Sequence, residues 1–359
     1  MATDLLTAQF EKDALRKKYK NYFVPVARVL IGDSQEDLAK KYPVQIENIR
    51  VSLNLKDAAS ATFQVAGVYD LESRSLNSSV RAALSLGTVV KIEMGYESDT
   101  ETVFQGFIYE VSVQFEDFPS IQITAMDVKR LMLDNYRENY VWNEKKYSEI
   151  FKKIMKDYEK LKLKPKTDDT ETELGKPIIQ RGSDLDMVRQ LCRLSNRRFL
   201  VCGGKAYFTK KDKKEAITTL LWGQELLSFG QSESYVDAVI EVWGNLKGSA
   251  EKIVEKRTVT SQGSMKHVRQ KGTTSVITLT DVGSADELKI RADNEEEAVK
   301  ERVRSGRGSC VGTPVLIPGR YVKIRGLESE VDGKYYLESV SHSFGADGFT
   351  TDFTIGGKK

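Results

Sequence analysis

Cysteine is scarce in these 359 residues, with three in all. Cys192, Cys202 and Cys310 form neither an even disulfide set nor a CxxC pair, so no redox or zinc role follows and a reducing compartment fits. Seven prolines and no low-complexity tract exclude collagen-like, mucin-like and wholly disordered chains. No apolar run approaches the roughly 20 residues of a membrane span. The opening stretch MATDLLTAQFEKDALRKKYK also lacks the apolar core of a signal peptide. Charge of one sign is missing too. Against 52 acids the 55 Lys and Arg leave a net charge of +3, without the basic bias of a dedicated nucleic-acid binder. The densest basic clusters, Lys17-Lys18-Tyr19-Lys20 and Lys210-Lys211-Asp212-Lys213-Lys214, read as solvated helix and turn surface. There is no HExxH, no Walker loop, no GxSxG and no GxGxxG opening a helix after a strand.

What is present is mainly β texture. After a helix-like arm (1–22), residues 23–135 alternate Val, Ile, Tyr and Phe with polar residues over Phe23 to Ile31, Ile46 to Leu55, Ala61 to Val68, Thr88 to Met94, Val103 to Val113 and Ile121 to Ala125. Half-buried antiparallel strands require that alternation. A middle module (136–215) carries period-3.6 apolar residues from Tyr147 to Leu161. It continues with a second helix capped by Ser183 and a hairpin turning at Gly203-Gly204. Strands resume over 216–357, with a charged insertion at about 246–305 holding a helix capped at Asn294 and stopped by Gly306.

The two β stretches echo each other about 230 residues apart. Gly87-Thr-Val-Val90-Lys91-Ile92 matches Gly319-Arg-Tyr-Val322-Lys323-Ile324, and Val111-Ser112-x-x-Phe115 matches Val340-Ser341-x-x-Phe344. The expected fold is therefore mainly β with α+β insertions: two similar small antiparallel β-barrels separated by a helical module. Gly87 and Pro318-Gly319 start strands. Gly95, Gly326 and Gly333 are expected to supply positive φ at tight corners.

Gly95-Tyr96, Phe104-x-Gly106 and Asp127 in the first stretch resemble the first barrel of the phage late control protein D and baseplate hub family, which includes the hub portion of VgrG-type spikes. Gly312-x-Pro314, Pro318-Gly319, Gly326, Gly333, His342 and Phe344 resemble its second barrel, and Gln180-x-x-Ser183-Asp184 its helical segment. The resemblance implies a structural, non-enzymatic homotrimer. Its six barrels would join the inner tube to a separate spike protein, with tape-measure and baseplate wedge proteins as neighbours. It implies no catalytic, metal or cofactor-binding residue, no cofactor, no nucleic acid and no stable membrane insertion. The chain would be made in the bacterial cytoplasm without a signal peptide and incorporated into a phage tail or injection particle.

Two other classes compete with that reading. One is a baseplate-associated peptidoglycan hydrolase, whose carboxylates need not be close in sequence. The other is a receptor- or glycan-binding tail module. His342, flanked by Ser341 and Ser343, has no carboxylate or cysteine at triad or metal spacing and reads as a strand-holding residue; His267 reads as an exposed loop.

Overall fold

The computed structural model describes residues 4–170, 177–210, 215–234, 237–246, 252–260, 273–282, 285, 288–289, 292–293, 295–296, 299 and 304–358. His267, Lys211 to Lys214 and the expected cap Asn294 lie outside them.

A short helix, α1 (Lys12–Lys18), leads into the first β unit. Its strands are β1 (Pro25–Ile31), β2 (Glu36–Asp37), β3 (Gln45–Asn54), β4 (Ser60–Ala66), the ribbon β5 (Tyr69–Asp70) and β6 (Ser75–Leu76), β7 (Val89–Tyr96), β8 (Asp99–Gln114) and β9 (Ser120–Met126). Three capped helical turns punctuate them. The Asp37 carboxylate accepts from Ala39 N–H ahead of α2 (Leu38–Lys41), Asn77 caps α3 (Ser78–Ala83), and Asp127 caps α4 (Val128–Asp134). Alternate residues of β4 and β9 (Ala61, Phe63, Val65; Ile121, Ile123, Ala125) are buried, which is the period of two that the sequence carries.

The middle module opens with β10 (Tyr136–Trp142), α5 (Tyr147–Lys156), β11 (Lys164–Thr167) and β12 (Ile178–Ser183). It closes with α6 (Asp184–Ser195), β13 (Arg197–Cys202) and β14 (Lys205–Lys210). Ser183 is the N-cap of α6 as expected, its Oγ accepting from Asp186 N–H at 3.1 Å. Ile150, Phe151, Ile154, Leu185, Val188 and Leu191 form this module's core, in which the Phe151 and Phe208 rings stack at 4.9 Å.

The second β unit comprises β15 (Ala216–Leu221), β16 (Leu226–Glu233), β20 (Arg304–Val311), β21 (Tyr321–Arg325), β22 (Gly333–Gly345) and β23 (Gly348–Lys358). Between β16 and β20, β17 (Asp237–Leu246), β18 (Lys252–Thr260) and β19 (Thr273–Val282) make a separate three-stranded sheet with its own core of Ile240, Val242, Val259, Leu288 and Ala292. The inserted unit thus begins upstream of 246. Among the described residues of this stretch, 285, 288, 289, 292, 293, 295, 296 and 299 are helical. Gly306 is no helix stop: it sits in β20 opposite Gln231 and Ile355, where a side chain would strike the Gly230 carbonyl.

The fold class is mainly β, with both units joined in one 13-stranded sheet. Its path is β16-β20-β23-β22-β3-β4-β9-β8-β7-β1-β2, with β15 and β21 branching from β22. A single apolar cluster runs through both units and takes in Leu5, Leu6, Leu15 and Tyr19 of the N-terminal arm. The arm is pinned onto the second unit. Phe10 N–H donates to Ile217 O at 2.8 Å, and the fully buried Arg320 guanidinium donates to Leu5 O and Ala8 O at 2.6 and 2.8 Å.

Candidate assembly surface

The echo in the sequence is a repeat in three dimensions. Gly87 and Gly319 both have φ +82°. Gly87 N–H donates to Ile108 O (2.8 Å) and Ile108 N–H returns a bond to Thr88 O (2.9 Å); Gly319 N–H donates to Leu337 O (2.8 Å) and Leu337 N–H to Arg320 O (2.8 Å). The β8–β9 ladder breaks register between Ile108 and Glu110, and the β22–β23 ladder breaks between Leu337 and Ser339. Past these matching bulges, Val111 faces Ile123 as Val340 faces Phe353. The meanders β7-β8-β9 and β21-β22-β23 are thus copies, each extended by two strands, β4 and β3 in the first and β20 and β16 in the second. They differ at the far side: β1 runs antiparallel to β7, whereas β15 runs parallel to β21.

The units meet along a strand seam. After pairing with β21, β22 takes β3 as neighbour from Ser339 to Phe344, in the register Ser341 with Ser52 and Phe344 with Ile49. The two serine Oγ atoms lie 3.4 Å apart, and Arg50 Nε reaches Ser341 Oγ at 3.3 Å. On the outward face of these strands is a shallow cleft of about 790 Å³ lined by Arg50, Ser52, Arg307, Ser341, Asp352 and Thr354. These polar groups alternate with Leu53, Phe229, Val340 and Phe353, and the cleft is open rather than an enclosed pocket.

The residues singled out from the sequence fall into two sets. Three of them converge on Phe349 where the units meet: Tyr96 donates its hydroxyl to Gly312 O at 2.9 Å, a Cβ at Gly312 would enter the Phe349 ring, and the Tyr96, Phe349 and His342 rings follow one another at 5.8 and 6.1 Å. Phe344, half-buried, packs on the same cluster, and Phe104, Pro314 and Pro318 are buried beside their strands. The others shape their own turns. Gly326 has φ +84°, and its N–H donates to Asp332 at 3.2 Å. Gly95 and Gly333 do not have positive φ. Gly95 is required because a side chain would strike the Asp99 carbonyl, Gly106 because one would strike that of Met126, and Gly333 simply opens β22.

The buried ionisable groups are structural. His342 is fully buried, and its Nδ1 lies 3.0 Å from Thr351 Oγ1, which itself accepts from Thr313 N–H at 2.9 Å. Burial pushes the imidazole down to about 4, against a small upward pull from the Leu316 backbone. It ties the 313–317 loop to the sheet. Asp127 is pushed up to about 6 by burial, while Lys129 beside it is shifted down and donates to the carbonyls of Asn54, Leu55 and Asp57 at 3.0 to 3.2 Å. Burial opposes ionisation of Asp184, but Arg137, Gln180, Tyr158 and Asn135 all donate to it and hold its carboxyl below the ordinary range. Cys202 and Cys310 are pushed up to about 12 by burial. Among the described residues no group of three or more His, Cys, Asp or Glu is placed to hold a metal ion, and no helix is long and apolar enough to cross a membrane. Sequence reasoning missed Arg320, Lys129 and Phe349, each of which joins separate segments. Only Lys129, two residues after a helix-capping Asp, carried a local signal.

The sequence matches the family model described as the Alg8 N-terminal domain over residues 28–345. No curated protein matches it. Among solved structures it is similar to a tail protein from Neisseria meningitidis MC58 (TM-score 0.70, 12% identity, covering 93% of this chain and 97% of that one). It is also similar to the 43 kDa tail protein of prophage MuSo2 from Shewanella oneidensis (TM-score 0.67, 12% identity, 92% and 98% covered). A third likeness is to an E. coli component of the type VI secretion system described as similar to the T4 tail proteins gp27 and gp5 (TM-score 0.57, 13% identity, 92% and 77% covered). These likenesses establish the tail-protein fold.

Proposed function

We propose that this chain, which belongs to the Alg8 N-terminal domain family, is a structural baseplate hub of a contractile phage tail or phage-tail-like injection particle. It acts as a homotrimer whose six β units form a pseudo-six-fold ring, joining the inner tube to the central spike. The observation that carries this reading is the repeated meander with matching glycine turn and matching bulge, two copies of one unit joined edge to edge in a single chain. Three such chains offer six similar units around one axis, which is how a three-fold spike can be matched to a six-fold tube. The role is geometric: repeated edges and loops give many modest contacts that act together. Tape-measure and wedge proteins are the further partners of this reading, and the site of action is the baseplate.

Native mass of the purified protein, alone and with the spike protein of the same particle, tests the reading. A species near three protomers, about 120 kDa from 40.5 kDa each, is expected in at least one condition. A monomer in both would overturn it. The same preparation is expected to leave cell walls intact in a zymogram; reproducible clearing by pure protein would favour the hydrolase instead.

A further inference from the structure

A second groove, of about 830 Å³, lies where the middle module meets the strands of both β units. Leu185, Asp186, Arg189, Cys192 and Arg193 line it from one face of α6, as their helical spacing requires. The β3–β4 turn contributes Leu55, Lys56 and Asp57, the start of β13 contributes Arg198 and Phe199, and β22 contributes Tyr336 and Glu338. Arg189 Nη2 donates to Lys56 O at 3.1 Å and ties the helix to the turn. Asn54, Asp57, Ser339 and Thr354 line both this groove and the cleft on the seam, so the two adjoin. Together they make a track several residues of extended chain in length, with apolar ground at Leu55, Phe199 and Tyr336.

Charge says what the groove takes. Five cations line it against three acids, and the cations are the less satisfied set. Lys129 is spent on three backbone carbonyls and Arg189 on Asp186 and Lys56 O, but Lys56, Arg193 and Arg198 have no carboxylate partner among the described residues. Arg198 is 8% exposed; its Nη1 donates to Gly319 O, while its Nε has no hydrogen-bond partner. The edge left over, Nε with Nη2, is the one with which a guanidinium grips a carboxylate side-on. Two of the three acids are already engaged or folded down. Asp186 accepts from Ser183 Oγ at 2.7 Å and pairs with Arg189 at 3.5 Å, and Glu338 lies over Gly356, where a Cβ would strike its carboxylate. Arg50 and Arg307 line the adjoining cleft against Asp352, which carries the positive excess onward.

We infer that this groove docks an acidic peptide segment of a partner protein. Carboxylates of the segment meet Lys56, Arg193 and the free edge of Arg198, and its apolar side chains rest on Leu55, Phe199 and Tyr336. A free anion would leave most of the groove unfilled and those apolar residues uncovered. A nucleic-acid strand, with a charge at every phosphate, would be set against Asp57, Glu338 and Asp352, whereas a peptide can place its acids only where the cations are. The docking site does not rest on the hub reading.

The test selects binders of the full chain from a library of random short peptides, then measures a synthetic copy of the best binder by fluorescence anisotropy. Selected sequences are expected to interleave Asp or Glu with aliphatic or aromatic residues. Occupancy of the groove is read at Cys192, the only cysteine that is not buried, as slower modification by a thiol reagent. Lys56→Glu and Arg193→Glu change exposed side chains and should each weaken binding about tenfold with the melting temperature unchanged. Glu338→Gln removes an opposing charge and should tighten it about threefold. Selected peptides without acidic residues, or acidic ones whose binding survives both charge reversals, would overturn the site. Equal protection of Cys192 by inorganic phosphate or by a random oligonucleotide would overturn the peptide as its occupant.

Discussion

The two β units share a meander but not a neighbourhood, and their differences show which features belong to the repeat and which to its context. Gly87 and Gly319 adopt the same φ and the same pair of turn hydrogen bonds, so that conformation is part of the repeated design. The residue after each glycine is not. Thr88 is half-exposed in the first unit, whereas Arg320 is fully buried in the second and holds the N-terminal arm. Val113 likewise becomes His342, whose Nδ1 meets Thr351 of the neighbouring strand, and Thr351 in turn accepts from Thr313 N–H. The second unit has accepted buried polar groups in order to secure segments from elsewhere in the chain.

Exchanging residues between the units breaks this comparison most sharply at Arg320. Arg320→Thr, which grafts in the first unit's residue, leaves the buried Leu5 carbonyl and the partly buried Ala8 carbonyl without donors and is expected to cost about 4 kcal/mol in denaturant unfolding. The reverse change, Thr88→Arg, should stay within about 0.5 kcal/mol. A cost below about 1 kcal/mol for Arg320→Thr would show that the arm is not held by it.

The next effect depends on pH. His342 sits at about 4 when folded against 6.5 when free, so its contribution to stability is whole above pH 6.5 and is lost as the pH falls towards 4. That difference is worth about 3 kcal/mol. His342→Val, the first unit's residue, should flatten the stability profile across this window. A slope unchanged by the substitution would contradict the neutral, buried imidazole.

Smaller effects follow at the paired glycines. Both Gly87→Ala and Gly319→Ala put a side chain at positive φ, a cost of about 1 kcal/mol. Gly319→Ala should cost about 1 kcal/mol more. Its Cβ would sit 2.9 Å from Arg198 Nη1 and 3.1 Å from Leu55, whereas the space at Gly87 is open. Equal costs at the two positions would mean that the second site relaxes freely. Least of all, a double-mutant cycle on Ser52→Ala and Ser341→Ala should return a coupling of about 0.3 kcal/mol, as for a partly buried cross-strand pair.

Reading the sequence captured the features that local chemistry determines. Alternation placed β4 and β9, Ser183 announced α6, and the Gly-x-x-Val-x-Ile echo marked the repeat because a positive-φ glycine followed by inward-facing aliphatics leaves the same trace each time. It failed where structure is made by distant partners. Nothing near Ser52 shows that it faces Ser341, since strand pairing across most of the chain has no local signature. Arg320 was missed because its partners are carbonyls of a distant arm, which no side-chain pattern reveals. Gly306 and Gly95 were misread for one reason. A glycine can be demanded by a neighbouring backbone as well as by its own φ, and the sequence does not distinguish the two.

Image averages of the assembled particle viewed down its axis test the central claim most directly. The account predicts a three-fold ring of six similar lobes, alternating between units that carry the inserted sheet and units that do not. A two-fold or four-fold particle, or three lobes without the intervening set, would contradict it.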